Sequence, residues 1–148
     1  MEQELKAKAL ADFLEISIKD LEIPKDKELP FAVLDTGANY LVLTEEEADQ
    51  KAGEEIRNSL WAFNADFIIQ HCKNFEKMDI CEIEAAEKSL RYAQENCCEN
   101  ANGLVYALID DIDEFIEDAI NADGRGHFIS YYDGEENEQN NFYIYRVD

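Results

Sequence analysis

Apolar positions recur at helical spacing in several stretches of the chain, and the pattern is most regular between residues 104 and 120. In an amphipathic helix, the buried side chains return every three or four residues. The stripe therefore predicts a helix that ends at Asp123-Gly124, where glycine favours a helix stop. The residues of this stripe are Leu104, Leu108, Ile112, Phe115, Ala119 and Ile120.

Helix start signals place further helices elsewhere in the chain. Thr44 and Glu47 have the spacing of a capping box, in which each side chain accepts a hydrogen bond from the backbone of the other residue. The other predicted helices cover about residues 3–14, 45–63, a short stretch after Asn64 or Asp66, and 83–96, which follows a start signal around Asp79.

Short runs of β-type residues predict strands in four places, the first of which is either a strand or a lead-in to the second. Residues 31–34 and 40–43 flank turn residues, and residues 128–132 and 142–147 form a C-terminal pair around an acidic loop. The expected fold class is α+β, with four or five helices packed on a small antiparallel sheet that includes the C-terminal strand pair. We expect a single domain over residues 1–148, with residues 1–30 as an N-terminal helical extension of it.

The net charge of the chain distinguishes it from an ordinary small domain, because the chain is strongly acidic. The chain has 35 acidic and 13 basic residues, which gives a formal net charge of −22, while 46% of its residues are hydrophobic. That hydrophobic content favours a folded body over an acidic tail. Such a charge repels nucleic acids and anionic membranes and attracts basic surfaces. With neither a signal-peptide pattern nor a long apolar run, we expect a soluble, cytoplasmic protein.

The acidic residues concentrate in a segment without lysine or arginine, from Tyr92 to Gly124. Within it, six carboxylates are spaced to lie opposite the apolar stripe, and the loop near residue 135 extends the field if it lies on the same side. Such a face fits a basic partner, although a merely solvated helix face is the plain alternative. The candidate partner-binding residues are Asp110, Asp111, Asp113, Glu114, Glu117, Asp118, Glu135, Glu136 and Glu138.

Two patterns suggest catalysis. The Asp-Thr-Gly sequence at residues 35–37 resembles the active-site turn of retroviral-type aspartic proteases, which needs two such aspartates, and a structural turn is the alternative. Asp123, His127 and Asp133 form the second candidate. Arg125, in the same region, is expected to pair internally with a nearby carboxylate.

No cofactor or metal is predicted. The four cysteines have no paired spacing and are interpreted as reduced thiols, with one or two of them buried. A zinc site would have to use His71, Cys72 and Cys81, again without paired ligands. Residues 121–126 resemble the start of a calcium-binding loop, but Arg125 and Tyr132 occupy two positions that require oxygen ligands.

A longer C-terminal pattern adds a resemblance. It consists of Asp-Gly-Arg-Gly-His-Phe at residues 123–128, Tyr-Asp-Gly-Glu at 132–135 and Phe-Tyr-Ile-Tyr-Arg at 142–146, together with Asn-Tyr-Leu-Val-Leu-Thr at 39–44. Over about two thirds of the chain, the sequence is similar to small acidic proteins of unassigned function encoded by bacteriophages and prophages. The resemblance implies a phage origin and action inside a bacterial cell, and it carries over no active site.

The favoured hypothesis is a phage-encoded, non-enzymatic inhibitor that binds a basic nucleic-acid-binding surface of a host protein, such as a nuclease or a CRISPR effector. It is similar in charge and size, but in no motif, to DNA-mimic inhibitors of restriction and CRISPR enzymes. The alternative is an acidic accessory or structural phage protein that acts in assembly. A minor alternative is an aspartic protease-like enzyme at Asp35.

Overall fold

The computed structural model describes residues 1–148 and contains a five-stranded antiparallel sheet. Its strands come from the N-terminal and C-terminal parts of the chain. The α+β class is therefore confirmed. The helices are α1 (Glu2–Leu14), α2 (Glu45–Asn58), α3 (Ala65–Gln70), α4 (Ile80–Cys97), α5 (Asn102–Leu108), α6 (Ile112–Asp123) and α7 (Arg125–Ile129). The strands are β1 (Leu21–Glu22), β2 (Phe31–Val33), β3 (Asn39–Leu43), β4 (Asn137–Gln139) and β5 (Phe142–Arg146).

The chain divides into two compact units. The first unit comprises Met1–Gly53 and Asp123–Asp148, and the second comprises Glu54–Ala122. All five strands belong to the first unit, whereas α3 to α6 supply most of the second. The expectation of a single domain stays a prediction.

Strand β3 lies at the centre of the sheet, whose strand order is β1-β2-β3-β5-β4. It pairs with β2 on one side and β5 on the other, with Val42 opposite Ile144. The prediction that the region near residues 40–43 and the C-terminal strand over residues 142–147 belong to one antiparallel sheet is thus confirmed. Its inner face packs on Ala7, Leu10 and Ala11 of α1. Each large apolar side chain buried in this way contributes about 1.5–3 kcal/mol.

The predicted strand over residues 128–132 is wrong. Residues 125–129 form α7, and β5 pairs instead with β4. Gly126 lies so close to the backbone of Gly134 that a side chain would not fit between them. The Ser130 hydroxyl also donates a hydrogen bond to the Arg146 carbonyl oxygen at 2.6 Å. These contacts hold the segment as a helical turn against the following loop.

A buried lysine connects α1 with the start of α2. The Lys6 side chain is fully buried, and its ammonium donates to Glu47 Oε2 at 2.7 Å and lies 3.2 Å from Glu2 Oε1. The predicted capping box is confirmed, because the Thr44 amide donates to Glu47 Oε2 and the Glu47 amide donates to Thr44 Oγ1. Glu47 therefore serves both as a helix cap and as the counter-ion of a buried cation.

The single helix predicted over residues 104–120 is interrupted in the second unit. Ile109 is extended and forms an isolated antiparallel bridge with Cys72, which ends α5. Asp111 Oδ1 then accepts hydrogen bonds from the amides of Asp113 and Glu114 at 3.0 and 3.2 Å, which starts α6. The apolar stripe could not reveal this break, because the step of four from Leu108 to Ile112 continues across it.

Candidate protein-binding surface

Six of the candidate carboxylates form one exposed surface of the second unit, which we call the acidic face. All six are exposed, whereas Phe115 and Ala119 on the opposite side of α6 are buried. Two of them precede α6 and four lie in its first two turns. The acidic face consists of Asp110, Asp111, Asp113, Glu114, Glu117 and Asp118.

Four members of the acidic face line a cleft of about 560 Å³ within the second unit. Asp110, Asp111, Glu114 and Asp118 lie along one wall, and residues between 70 and 77 form the other. Glu76 and Lys77 add one charge of each sign, so five carboxylates face a single lysine. The cleft is therefore complementary to a cationic group.

Asp113 and Glu117, the other two members of the acidic face, do not line the cleft. Asp113 lies outside the cleft, where its Oδ1 is 3.3 Å from an Arg57 guanidinium nitrogen. Both side chains are largely exposed, so the pair is worth about 0–1 kcal/mol and a competing cation can displace it. The cleft wall, rather than the whole helix, is the strongest candidate for contact.

His71 is a cleft residue that sequence reasoning considered only as a zinc ligand. Its Nε2 is 3.2 Å from Asp118 Oδ2, and its backbone carbonyl accepts from the Asp110 amide at 2.9 Å. The imidazole packs against the rings of Phe67 and Phe115, each at a centroid distance of 5.1 Å. The aromatic contacts fix the ring, so His71 positions one carboxylate of the cleft.

The neighbouring cysteine is buried rather than placed for metal binding. Burial raises the pKa of the Cys72 thiol, which keeps it protonated and unreactive. Cys81, Cys97 and Cys98 are exposed, and all four cysteines are free thiols. No group of three or more His, Cys, Asp or Glu residues is arranged to hold a metal ion.

The loop carboxylates belong to the first unit, and one of them has an internal role. Glu135 and Glu138 are exposed, whereas Glu136 receives hydrogen bonds from Arg125 Nε and Nη2, both at 2.9 Å, and from the Tyr145 hydroxyl. Burial alone raises the pKa of Glu136, but these hydrogen bonds outweigh it and leave the pKa below its usual 4.5. Burial, followed by the bond to Glu136, raises the pKa of Tyr145.

Arg125 is a buried cation at the centre of a partly exposed ion cluster in the first unit. Besides Glu136, its Nη1 donates to Glu45 Oε1 at 2.9 Å and to Asp49 Oδ1 at 3.0 Å, and its guanidinium lies 4.5 Å from the Tyr143 ring centroid. The hydrogen bonds to Glu136 raise its pKa still further above the usual arginine value. The predicted internal pairing of Arg125 is confirmed, which makes Arg125 and Glu136 structural residues.

The two segments that suggested catalysis are both at the surface. Asp35 lies exposed in the turn between β2 and β3, where the Gly37 amide donates to the Val33 carbonyl at 2.8 Å and Gly37 has a φ of 72°. His127 is also exposed, with its ring edge-on to Phe128. The turn expected at residues 35–39 is present, and the enzymatic alternative stays a hypothesis.

Acid is expected to remove the stability that Glu47 and Glu136 contribute. For Glu47, burial raises the pKa, but hydrogen bonds from Lys6 and Thr44 outweigh it, so both carboxyls have folded-state pKa values below 4.5. A lowered pKa stabilises the folded state fully above the unfolded value, and this contribution is lost as pH falls through the folded value. The free-energy gap between wild type and Glu47→Gln or Glu136→Gln should therefore narrow below about pH 4.5.

Urea unfolding between pH 7 and pH 3 measures this gap. Glu84→Gln, at an exposed site on α4, is the charge-matched control. A gap for Glu47→Gln and Glu136→Gln that stays constant over this range would contradict the assignment of both carboxylates as ion-pair partners.

Comparison with known proteins found no match, whether with a protein-family model, a curated protein or a solved structure. None of the helices combines the length and the apolar character that crossing a membrane requires.

Proposed function

We propose that the acidic face binds a basic, nucleic-acid-binding surface of another protein and thereby excludes nucleic acid from it. The observation that carries the proposal is the cleft in which five carboxylates face one lysine. It lies in a unit with 16 acidic and five basic residues, so the surrounding surface reinforces the local field. A negative field of this kind accelerates encounter with a cationic surface.

The charge density of α6 supports competition with a phosphate backbone. Four carboxylates lie between Asp113 and Asp118, so a helical rise of about 1.5 Å per residue places roughly one charge every 2 Å. Duplex DNA has one phosphate charge per about 1.7 Å of its axis. Lysines and arginines spaced for phosphates can thus contact these carboxylates at a similar density.

Repulsion within the acidic face destabilises α6, and a binding function would explain why the carboxylates are there. Asp113 with Glu117, and Glu114 with Asp118, are like-charged pairs four residues apart in α6. Each such pair destabilises a helix by about 0.2–0.5 kcal/mol. A lysine at position 117 or 118 would relieve the repulsion, and α6 contains no basic residue, which favours a binding role over a merely solvated helix.

The nature of the target follows from the sequence resemblance rather than from the surface. As a phage protein acting in the bacterial cytoplasm, this chain would encounter host nucleases, including restriction and CRISPR effectors. Inhibition of such an enzyme requires only occupation of its nucleic-acid site, so the proposed activity is non-enzymatic.

Neutralising the cleft is expected to weaken binding to a cationic probe. The triple variant Asp110→Asn, Glu114→Gln and Asp118→Asn removes three contacts of about 0.5 kcal/mol each, which corresponds to roughly a tenfold loss of affinity. Fluorescence polarisation with a labelled deca-arginine peptide measures it. Raising the ionic strength from 0.01 M to 0.15 M shortens the Debye length from about 30 Å to about 8 Å, so wild-type affinity should also fall steeply.

A matched variant controls for net charge. Glu84→Gln, Glu95→Gln and Glu99→Gln remove three exposed charges from other parts of the same unit. In a bacterial lysate, immobilised wild type and this control should capture a nucleic-acid-binding protein that added duplex DNA displaces, and the cleft variant should not. Equal binding by both variants, or capture of phage particle proteins alone, would contradict the proposal.

A further inference from the structure

An apolar groove of about 370 Å³ lies in the second unit between α3, α4 and α5. Ile69 of α3, Ala86 and Leu90 of α4, and Leu104 and Leu108 of α5 contribute to its lining. Leu104 is 48% exposed, although the other face of α5 buries Val105 completely. A concave pocket of this size that is lined mainly by hydrophobic side chains is a common form of binding site.

The groove and the acidic cleft lie on opposite sides of one β-bridge. The bridge between Cys72 and Ile109 runs between them, with the Lys73 amide donating to the Leu108 carbonyl and the Asp110 amide donating to the His71 carbonyl. Lys73 and Leu108 line the groove, whereas His71 and Asp110 line the cleft, and Cys72 lines both. An apolar site and an acidic site thus lie on either side of a single β-bridge.

We infer that the groove and the cleft together bind a basic amphipathic helix of a partner protein. Leucine-like side chains of that helix enter the groove, and lysines or arginines three or four positions away reach Asp110, Glu114 and Asp118. The inference rests on the proposed function for the acidic cleft and adds to it the secondary structure and the apolar anchors of the partner.

Charge complementarity and helix geometry favour this occupant over others. Charge complementarity excludes an acidic segment, because five carboxylates lie beside the groove against Lys77 in the cleft and Lys73 in the groove. In a helix, residues three and four apart lie on one face about one turn from each other, which brings an apolar and a cationic side chain to adjacent sites. Binding of an amphipathic helix in an apolar groove is a recurrent mode of peptide recognition.

The test uses an 18-residue helical peptide that has leucines on one face and, three or four positions from them on the same face, lysines. A second peptide, with serines in place of the leucines, reports on charge alone. Wild type should bind the amphipathic peptide at least about tenfold more tightly than the serine peptide. The added affinity comes from apolar surface removed from water.

The groove is blocked by Ala107→Trp and weakened by Leu104→Ser, both at exposed positions of α5 that line it. Each variant should lose about tenfold in affinity for the amphipathic peptide and bind the serine peptide as wild type does. Ala85→Trp is the matched control, because Ala85 is an exposed alanine of α4 outside the groove lining. Circular dichroism and thermal unfolding establish that each variant is folded.

The outcomes separate this inference from the proposed function. If Ala107→Trp and Leu104→Ser bind both peptides as wild type does, while the triple cleft variant binds both more weakly, the groove inference is overturned and the acidic cleft stands. If the triple cleft variant binds both peptides unchanged, the proposed function fails, and the inference that depends on it fails too.

Discussion

Replacing Arg125 with methionine is expected to lower the free energy of unfolding by about 3 kcal/mol, the low end of the range for breaking a buried ion pair. Arg125 is 9% exposed and holds Glu45, Asp49 and Glu136 at 2.9–3.0 Å. Methionine fills much of the space but leaves three carboxylates close together without a cation. The loss is at the low end of this range because solvent weakens the pairs with Glu45 and Asp49, whose side chains are 63% and 59% exposed.

Urea unfolding at pH 7 measures this loss, and Arg91→Met is the control. Arg91 is 59% exposed and lies 3.6 Å from Glu87, so its removal should cost under about 1 kcal/mol. Arg125→Lys should recover only part of the loss, because an ammonium cannot bind Glu136 through two parallel hydrogen bonds. A cost for Arg125→Met no larger than that for Arg91→Met would contradict the structural role of the cluster.

Replacing Gly126 with alanine is expected to destabilise the protein by about 3 kcal/mol, the upper part of the range for overpacking. The new Cβ would lie 2.5 Å from the Gly134 carbonyl oxygen, 2.8 Å from the Glu135 carbonyl carbon and 2.9 Å from the Glu136 amide nitrogen. All three are backbone atoms, so a side-chain rotation cannot relieve the overlap. The loop must move, and its movement carries Glu136 away from Arg125.

Gly103→Ala is the control for this substitution. Gly103 lies in α5, and nothing is within 4 Å of the position of its Cβ. Gly103 is in the first turn of α5, and alanine has a higher helix propensity than glycine, so this variant should be as stable as wild type or more so. Thermal and urea unfolding of the two variants measure the contrast. Equal stability of Gly126→Ala and Gly103→Ala would show that the loop does not need its close contact with α7.

The losses of stability caused by Gly126→Ala and by Arg125→Met are expected to be less than additive. Gly126→Ala acts through the loop that contains Glu136, and Arg125→Met removes the cation that Glu136 binds. Substitutions that disturb one network are not additive. Here each substitution disturbs the contact between Arg125 and Glu136, so part of the cost is shared. The double variant should therefore lose less than the sum, and strict additivity would show that the loop contact and the ion cluster are independent.

Local features of the chain were predictable because they depend on residues within about one helical turn. The capping box of Thr44 and Glu47 and the Asp79 cap, whose Oδ1 accepts from the Glu82 amide, each connect residues three apart. The same holds for the amphipathic pattern of α6, which separates exposed Glu114 from buried Phe115. The α+β class followed from such signals because helical and strand periodicities differ along the chain.

The tertiary structure decided the features that depend on contacts between distant residues. Arg125 meets Asp49 and Glu45 across 76 and 80 positions, and Lys6 meets Glu47 across 41. The break before α6 needs the bridge from Ile109 to Cys72, and α7 replaces a strand because Gly126 packs against a loop eight residues later. Periodicity carries no information about such partners. The sequence alone therefore determined that α6 has an acidic side, and only the fold determined that this side closes a cleft beside an apolar groove.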